Sequence, residues 1–367
     1  MLATRRVENL VSRIGPLERR SVIITGGTGS LGQTLVRRVL EGRWGRPASV
    51  TVFSRDEAKQ HRMRVDFLRQ AEATEDAAYL DATRDLHFVI GDVRDYGSVV
   101  RVLRGADVVV NAAALKQVPS CEYFPYEAVR TNVEGAENIV RAISEHDLGV
   151  STVVAVSTDK ACHPTNVMGM SKAIQERILL GGGLRCPNTR FVGVRYGNVI
   201  ASRGSVVPLF LRQIAQGGPL TLTDPRMTRF LLSLDEAVDT VMAAIAHARN
   251  GEITVPRVRA VRILDLARDL IGRADVEIKT VGIRPGEKLH ETLITAEEAG
   301  RARSEGDHLF VGSAMPELRH EDVAHGALQG AFSSDEYLMD DAERAALVAR
   351  VRKTAGGSLG GDGELLA

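Results

Sequence analysis

Asp159 and Lys160 place a carboxyl group beside an amine, and Lys172 adds a second amine within the same run, residues 157–172, STDKACHPTNVMGMSK. Such a pair can offer an acid that protonates a leaving hydroxyl and a base that removes a carbon-bound proton. Their demands conflict, because a working acid needs a raised pKa, a working amine base a lowered one, and an adjacent opposite charge pushes each the other way. Burial and Lys172 would tip the balance toward a neutral Lys160, and the pair should titrate as a unit. Met168 stands four residues before Lys172, so a helix would carry both on one face. A thioether neither transfers a proton nor stabilises an anion, which makes Met168 a packing residue. By residue type, Cys121 or Glu122 in the SCE run is a further acid or base, whereas His163 and His290 lack paired ligands at metal spacing. No metal is expected.

A second constellation suits phosphate. Gly26, Gly29 and Gly32 form GxxGxxG between an apolar β-branched run and a helix-compatible one, with Thr28, Ser30 and Leu31 inside the loop. Glycines there permit a tight turn and close approach to a pyrophosphate, and the helix N-terminus supplies amide donors. Ser54, Arg55 and Lys59 follow the second apolar run, where a free ribose diol would call for an acidic residue and an Arg with Ser and Lys suits a 2′-phosphate. NADP is therefore expected, with NAD second. Asp92 and Val93 in GDVRD lie where a carboxylate can reach the adenine amino group. Ala113, in the NAAA run 111–114, is one of the small residues beneath the ribose and nicotinamide.

These groups need elements to hold them. Runs at 21–25, 49–53, 87–90, 107–110, 153–156 and 191–194 read as strands separated by amphipathic helical segments, which implies parallel pairing through right-handed crossovers. The fold class is α/β, a Rossmann-type doubly wound parallel sheet over 21–195 with a smaller C-terminal substrate-binding lobe over 196–345. Helices are predicted there at 234–248 and 263–271. Residues 1–20 read as a leading helix, and the Gly-rich run 353–367 as a disordered tail.

The 367 residues are 44% hydrophobic, enough for a substantial core. Lys plus Arg balances Asp plus Glu at 47 each, so no global field favours nucleic acid or a membrane surface. Cys121, Cys162 and Cys186 are widely spaced with no CxxC pair, which argues against a disulfide framework and fits a reducing cytoplasm. The first twenty residues mix charges through their apolar positions and resemble neither a secretory signal nor a membrane span.

Together GGTGSLG, SRDEAKQ, GDVRD, AALKQVPSCEYFPYEAVRTNVEGAENIV and STDKACHPTNVMGMSKA closely resemble the extended short-chain dehydrogenase/reductase superfamily. Within it they are similar to the inverting UDP-N-acetylglucosamine 4,6-dehydratases and 5-epimerases of capsule, O-antigen and polysaccharide biosynthesis. The resemblance continues through RYGNVIASRGSVVPLF, TDPRMTRFLLSLDEAV and RPGEKLHETL, covering residues 20–340. It implies a lyase reaction in which hydride leaves C4 of the sugar, water is lost across C5 and C6, hydride returns to C6, and C5 is reprotonated with inversion, with or without further epimerisation. Asp159 would protonate the C6 hydroxyl, Lys160 would take and return the C5 proton, and Lys172 would hold the nicotinamide ribose. One branch of the family carries Tyr where this chain has Met168, and the other carries Met. KQVPSCE and the spacing of Met168 to Lys172 match the second branch, whereas RPGEKLHE leans to the first. With no phenol, Lys160, directly or through a water, is expected to deprotonate O4, with Lys172 as the alternative.

The implied substrate is a UDP-N-acetylhexosamine. Asn198 in YGNV, Arg203 and Ser205 in ASRGS, Arg229 in MTRF, and Arg284 and Glu287 in RPGEK are its expected contacts, with Lys116 near the sugar. A homo-oligomer, dimer to hexamer, is implied. Competing readings are a 5,6-dehydratase that stops at the unsaturated sugar and a noncatalytic NADP-binding protein. Retention of Asp159, Lys160 and Lys172 together argues against the latter.

Overall fold

Short β-branched runs with no polar face belong in a sheet that is covered on both sides. They are found there in the computed structural model, which describes residues 15–72, 84–200, 205–320 and 326–358. Strands β1 (Ser21–Thr25), β2 (Ser49–Ser54), β3 (Leu86–Ile90), β4 (Val108–Asn111), β5 (Thr152–Val156) and β6 (Arg190–Val194) pair in parallel in the order β3-β2-β1-β4-β5-β6. Ile24 at the centre faces Val52 on one side and Val110 on the other.

Helices α1 (Ser30–Leu40), α2 (Glu57–Glu72), α3 (Tyr96–Leu103), α4 (Val118–Tyr123), α5 (Pro125–Ala128), α6 (Gly135–His146) and α7 (Val167–Arg185) fill the crossovers. A π-helical segment, Val129–Glu134, joins α5 to α6. Alternation along the strands divides the core into two layers. Val22, Ile24, Val52 and Val110 pack with Leu35, Val36 and Val39 of α1, whereas Ile23, Val109, Val153 and Phe191 pack with α3, α6 and Leu179 of α7.

Past β6 come β7 (Asn198–Val199), α8 (Val206–Ala215), β8 (Leu220–Leu222), β9 (Thr228–Leu232), α9 (Leu234–His247), β10 (Ile253–Pro256), β11 (Ala260–Arg262) and α10 (Ile263–Ile271). They are followed by β12 (Ile278–Thr280), β13 (Thr292–Ile294), α11 (Ala296–Ala299), β14 (Ala302–Glu305), β15 (His308–Val311), β16 (Phe332–Ser333) and α12 (Asp341–Ser358). The expected cut at residue 195 is not how the molecule divides. Strand β10 adds to β6 in parallel, and β15 and β14 follow antiparallel, making nine strands among the described residues. Helix α9, expected in the lobe, lays Ala237, Val238 and Val241 on the α1 layer instead. The lobe proper has its own core, where Phe210, Leu220, Leu266 and Leu347 meet.

Where the two end segments are described, they differ from expectation. Residues 1–14 lie outside the described residues, and 15–20 form a turn rather than a helix, with Gly15 and Pro16 opening it. Helix α12 runs to Ser358, so 353–358 continue a helix whose Leu347, Val348 and Val351 are packed in the lobe core. Residues 359–367 lie outside the described residues. Among the described residues no helix is long and apolar enough to cross a membrane.

One buried ion network ties the sheet to the C-terminal segment. Arg195, at the end of β6, is 2% exposed and donates to Glu176 of α7 at 2.7 Å, to Glu298 of α11 at 2.9 Å and to the Leu293 carbonyl at 2.9 Å. Replacing Arg195 by Met would leave two carboxylates buried without their counter-ion. The variant is expected to lose about 3–5 kcal/mol of unfolding free energy in a urea titration. A loss under about 1 kcal/mol, the scale of an exposed pair, would contradict the assignment.

Candidate functional site

The strand order reverses between β1 and β4, and there the carboxyl ends of the strands open onto a cleft of about 1160 Å³. Gly26, Thr28, Gly29, Ser30, Leu31 and Gly32 line one end. Gly26 has φ +65, and a Cβ there would come within 2.7 Å of the Ala113 backbone, while one on Gly32 would come within 2.5 Å of Gly27. Only glycine allows this turn, which brings the N-terminus of α1 to the cleft as an anion cradle. The donor set and its close-packed loop fit a dinucleotide diphosphate.

Ser54, Arg55 and Lys59 line the same end, joined by Arg62, which sequence reasoning missed although it sits one helical turn past Lys59. Thr28 Oγ1 meets Ser54 Oγ at 3.1 Å and ties the loop to β2. Asp56 pairs with Lys59 at 2.6 Å, and hydrogen bonds from Lys59 hold its carboxyl below the usual range. Asp92 also lines the cleft, gripped by Arg94 at 2.6 Å, with Arg55 at 3.6 Å. Burial pushes its carboxyl up, but Arg94 and Arg55 bring it below the ordinary value. Val93 and Ala113 complete this wall.

Asp159 and Lys160 share a single 3₁₀ turn directly after β5. Asp159 is fully buried, and its Oδ1 accepts from the Thr158 hydroxyl at 2.9 Å and from Lys160 Nζ at 3.0 Å. Lys160 lines the cleft and Asp159 does not. The carboxyl expected to protonate a sugar hydroxyl thus stands behind the amine. The sequence analysis missed a third member: Glu291, 2% exposed, brings Oε1 to 3.5 Å from Lys160 Nζ and Oε2 to 2.6 Å from Lys288 Nζ. Its signal was its place at the end of the RPGEKLHE run. Burial opposes the Lys160 charge, yet Asp159 and Glu291 outweigh both burial and the field of Arg229, so its pKa lies above that of an ordinary lysine. These surroundings do not favour the neutral Lys160 expected as the base for O4.

Lys172 presents the opposite case. It is 6% exposed in α7, lines the cleft, and donates to the Val156 carbonyl at 2.5 Å and to Gln175 Oε1 at 2.6 Å. No carboxylate among the described residues bonds to it. Burial draws its pKa down to about 8, with Glu176 opposing. Met168, one turn earlier, lines the cleft and packs with Cys121 and Ala128. Cys121 is fully buried off the cleft, where burial raises its thiol, and Glu122 accepts the Val167 N–H at 2.7 Å to start α7. Neither is the extra acid or base that the SCE run suggested. Tyr196 does put a phenol on the cleft wall, but burial pushes its pKa up, away from what a base needs.

Asn198, Ser205, Lys116 and Arg284 line the far side. Asn198 Oδ1, Ser205 Oγ, Thr131 Oγ1 and Ser157 Oγ are buried oxygens without a hydrogen-bond partner among the described residues. Each costs about 1–3 kcal/mol while unpaired, and a polyhydroxylated ligand would satisfy them. Thr131 and Ser157 were not legible as site residues; Thr131 sits in the π-helical segment, a frequent companion of functional sites. Arg229 is not a phosphate donor on the cleft. Its guanidinium clamps the carbonyls of Thr228, Leu289 and Lys288 at 2.7, 3.0 and 2.9 Å. Glu287 does not line the cleft and accepts the Arg284 N–H at 3.2 Å, closing a turn, and Arg203 lies outside the described residues.

This constellation has relatives. A family model described as polysaccharide biosynthesis protein matches residues 22–312. The UDP-glucose 4-epimerase of Rickettsia canadensis (strain McKiel) is 43% identical over 295 residues, 79% of this chain and 82% of that protein. The one from Rickettsia conorii (strain ATCC VR-613 / Malish 7) is 44% identical over 288 residues, 77% and 80% of the two chains. Among solved structures, Pen from Bacillus thuringiensis is similar with a TM-score of 0.79 and 30% identity, covering 96% of this chain and 99% of that one. DesIV, a dTDP-glucose 4,6-dehydratase from Streptomyces venezuelae solved with NAD and TYD bound, is similar in fold with a TM-score of 0.60 at 24% identity, covering 73% and 86%. The chain therefore belongs to the polysaccharide biosynthesis protein family, within the extended short-chain dehydrogenase/reductase enzymes that dehydrate or epimerise nucleotide sugars.

Proposed function

We propose that this enzyme carries out NADP-dependent 4,6-dehydration of UDP-N-acetylglucosamine with inversion at C5, yielding a UDP-4-keto-6-deoxy-L-hexosamine. The observation that carries this reading is the buried Asp159–Lys160–Glu291 unit beside the cleft. A C4 epimerase needs one base on O4 and no proton chemistry at C5 or C6, so it has no use for such a unit. Epimerisation at C4 is the second reading, favoured by the naming of the Rickettsia relatives.

The glycine loop and the start of α1 would hold the cofactor diphosphate, and Ser54, Arg55, Lys59 and Arg62 a ribose 2′-phosphate. A nicotinamide held there would supply reversible hydride chemistry for C4 and C6 of the sugar. Lys172 accepts the O4 proton, because it is the cleft amine that loses its own proton near neutrality. Lys160 starts charged. With Asp159 and Glu291 it shares a proton among one amine and two carboxylates, and that unit gives a proton to the departing C6 hydroxyl and exchanges one at C5. Arg284 and Lys116 compensate the UDP diphosphate, and Asn198 and Ser205 accept or donate to the sugar.

Two outcomes test this. UDP-N-acetylglucosamine carrying deuterium at C4, converted in ordinary water and followed by NMR, should deliver the label to a C6 methyl group. Label retained at C4 of a galacto product would instead establish epimerisation, label returned to C4 of a 5,6-unsaturated product would establish the 5,6-dehydratase, and binding without turnover a noncatalytic role. In a single turnover at saturating cofactor, C4 oxidation should climb with pH until about 8 and then level off, because the free amine of Lys172 is the working form. Lys172→Met should slow that step by about 100-fold or more and flatten its pH dependence, while Lys160→Ala leaves it within a few-fold. The reverse order of effects would return the O4 base to Lys160.

A further inference from the structure

Glu291 comes from a segment far along the chain from Lys160, yet its placement is closely determined. Its N–H donates to Ser334 Oγ at 2.9 Å, and its carbonyl accepts the Ser334 N–H at 2.8 Å. Ser334 is itself fully buried and shares a hydroxyl contact of 2.6 Å with Thr228. The carboxylate is then spanned by two amines, Lys160 at 3.5 Å and Lys288 at 2.6 Å, and Lys288 Nζ is fixed in turn on the Cys162 carbonyl at 2.9 Å. Glu291 does not line the cleft, whereas Lys160 does.

We propose that Glu291 is a positioning residue for Lys160, holding that amine at the cleft wall as an ammonium between two carboxylates. The charged groups that act on Lys160 are Asp159 on its own turn, Glu291 on the segment before β13 and Arg229 on β9; Lys288 pairs with the same Glu291, and Lys172 on α7 and the uncharged Tyr196 after β6 line the same cleft. Asp159 alone would have to offset both burial and the opposing Arg229. Glu291 neutralises Lys288 and supplies the second negative charge, so the chain Asp159–Lys160–Glu291–Lys288 is balanced at two and two. The part Glu291 plays in the reaction rests on the dehydration reading, but the charge it imposes on Lys160 does not.

The test is competitive acylation of the full chain with acetic anhydride over a range of pH, with the modified peptides quantified by mass spectrometry, since only a neutral amine reacts. In the wild-type protein Lys160 should resist labelling to a higher pH than exposed lysines. In Glu291→Gln its midpoint should fall by about one to three pH units, Glu291→Asp should stay near wild type, and Lys172 should keep its midpoint in both. An unchanged Lys160 midpoint in a folded Glu291→Gln protein overturns the proposal. If that variant does not fold, wild-type labelling still decides, because a Lys160 that reacts with or before exposed lysines overturns it as well. For an active variant, the basic limb of C5 hydrogen exchange should move down with the labelling midpoint. A product with no C5 exchange would defeat the dehydration reading while leaving the labelling result to judge Glu291.

Discussion

Burying an amine strips most of its charge unless a carboxylate is buried with it, and the two lysines of the cleft stand on opposite sides of that constraint. Lys160 has two carboxylates and stays charged; Lys172 has a carbonyl and an amide oxygen and gives up its proton near pH 8. One cleft therefore offers a proton donor and a proton acceptor made from the same side chain. Reactions that oxidise one carbon of a sugar and eliminate at its neighbours need both at once.

That division depends on long-range assembly. Asp159 and Lys160 hang from β5, Lys172 from α7, and Glu291 from the segment leading into β13. The clamps that bring the last segment to the others are polar: Arg229 across to Lys288 and Leu289, Lys288 to Cys162, and Arg195 to Glu298 and Leu293. They join β9, the turn after β5 and the residue after β6 to residues between 288 and 298. The same clamps explain why Arg229, an arginine inside a family motif, serves architecture. Its two terminal nitrogens are already engaged by three carbonyls and the Met227 sulfur.

The sequence made the sheet legible because its signal is local. The six predicted strands match the observed ones to within one residue at either end, since a β-branched run between turn residues can do little else. The glycine loop was legible for the same reason. What could not be read was which distant side chain meets which. The return of β10, β14 and β15 to the main sheet depends on tertiary packing, and so does the pairing of Glu291 with Lys160. The adjacent Asp159 and Lys160 suggested two groups working side by side in the cleft; the 3₁₀ turn instead sends one inward and one outward. Likewise the lowered pKa was expected at Lys160 and is found at Lys172, because the count of buried carboxylates, invisible along the chain, decides it.

Met168 fits this picture as a consequence. It packs against Cys121 and Ala128 at the cleft wall and brings no charged group to Lys172, so burial is left to favour the free form of that amine. The most direct measurement is an NMR titration of the folded chain bearing isotope-labelled lysine, with the two signals assigned through Lys160→Arg and Lys172→Arg. The account predicts that Lys172 titrates near pH 8 while Lys160 holds its proton beyond the ordinary lysine value of 10.5. A shared midpoint, or a Lys160 that titrates first, would contradict it.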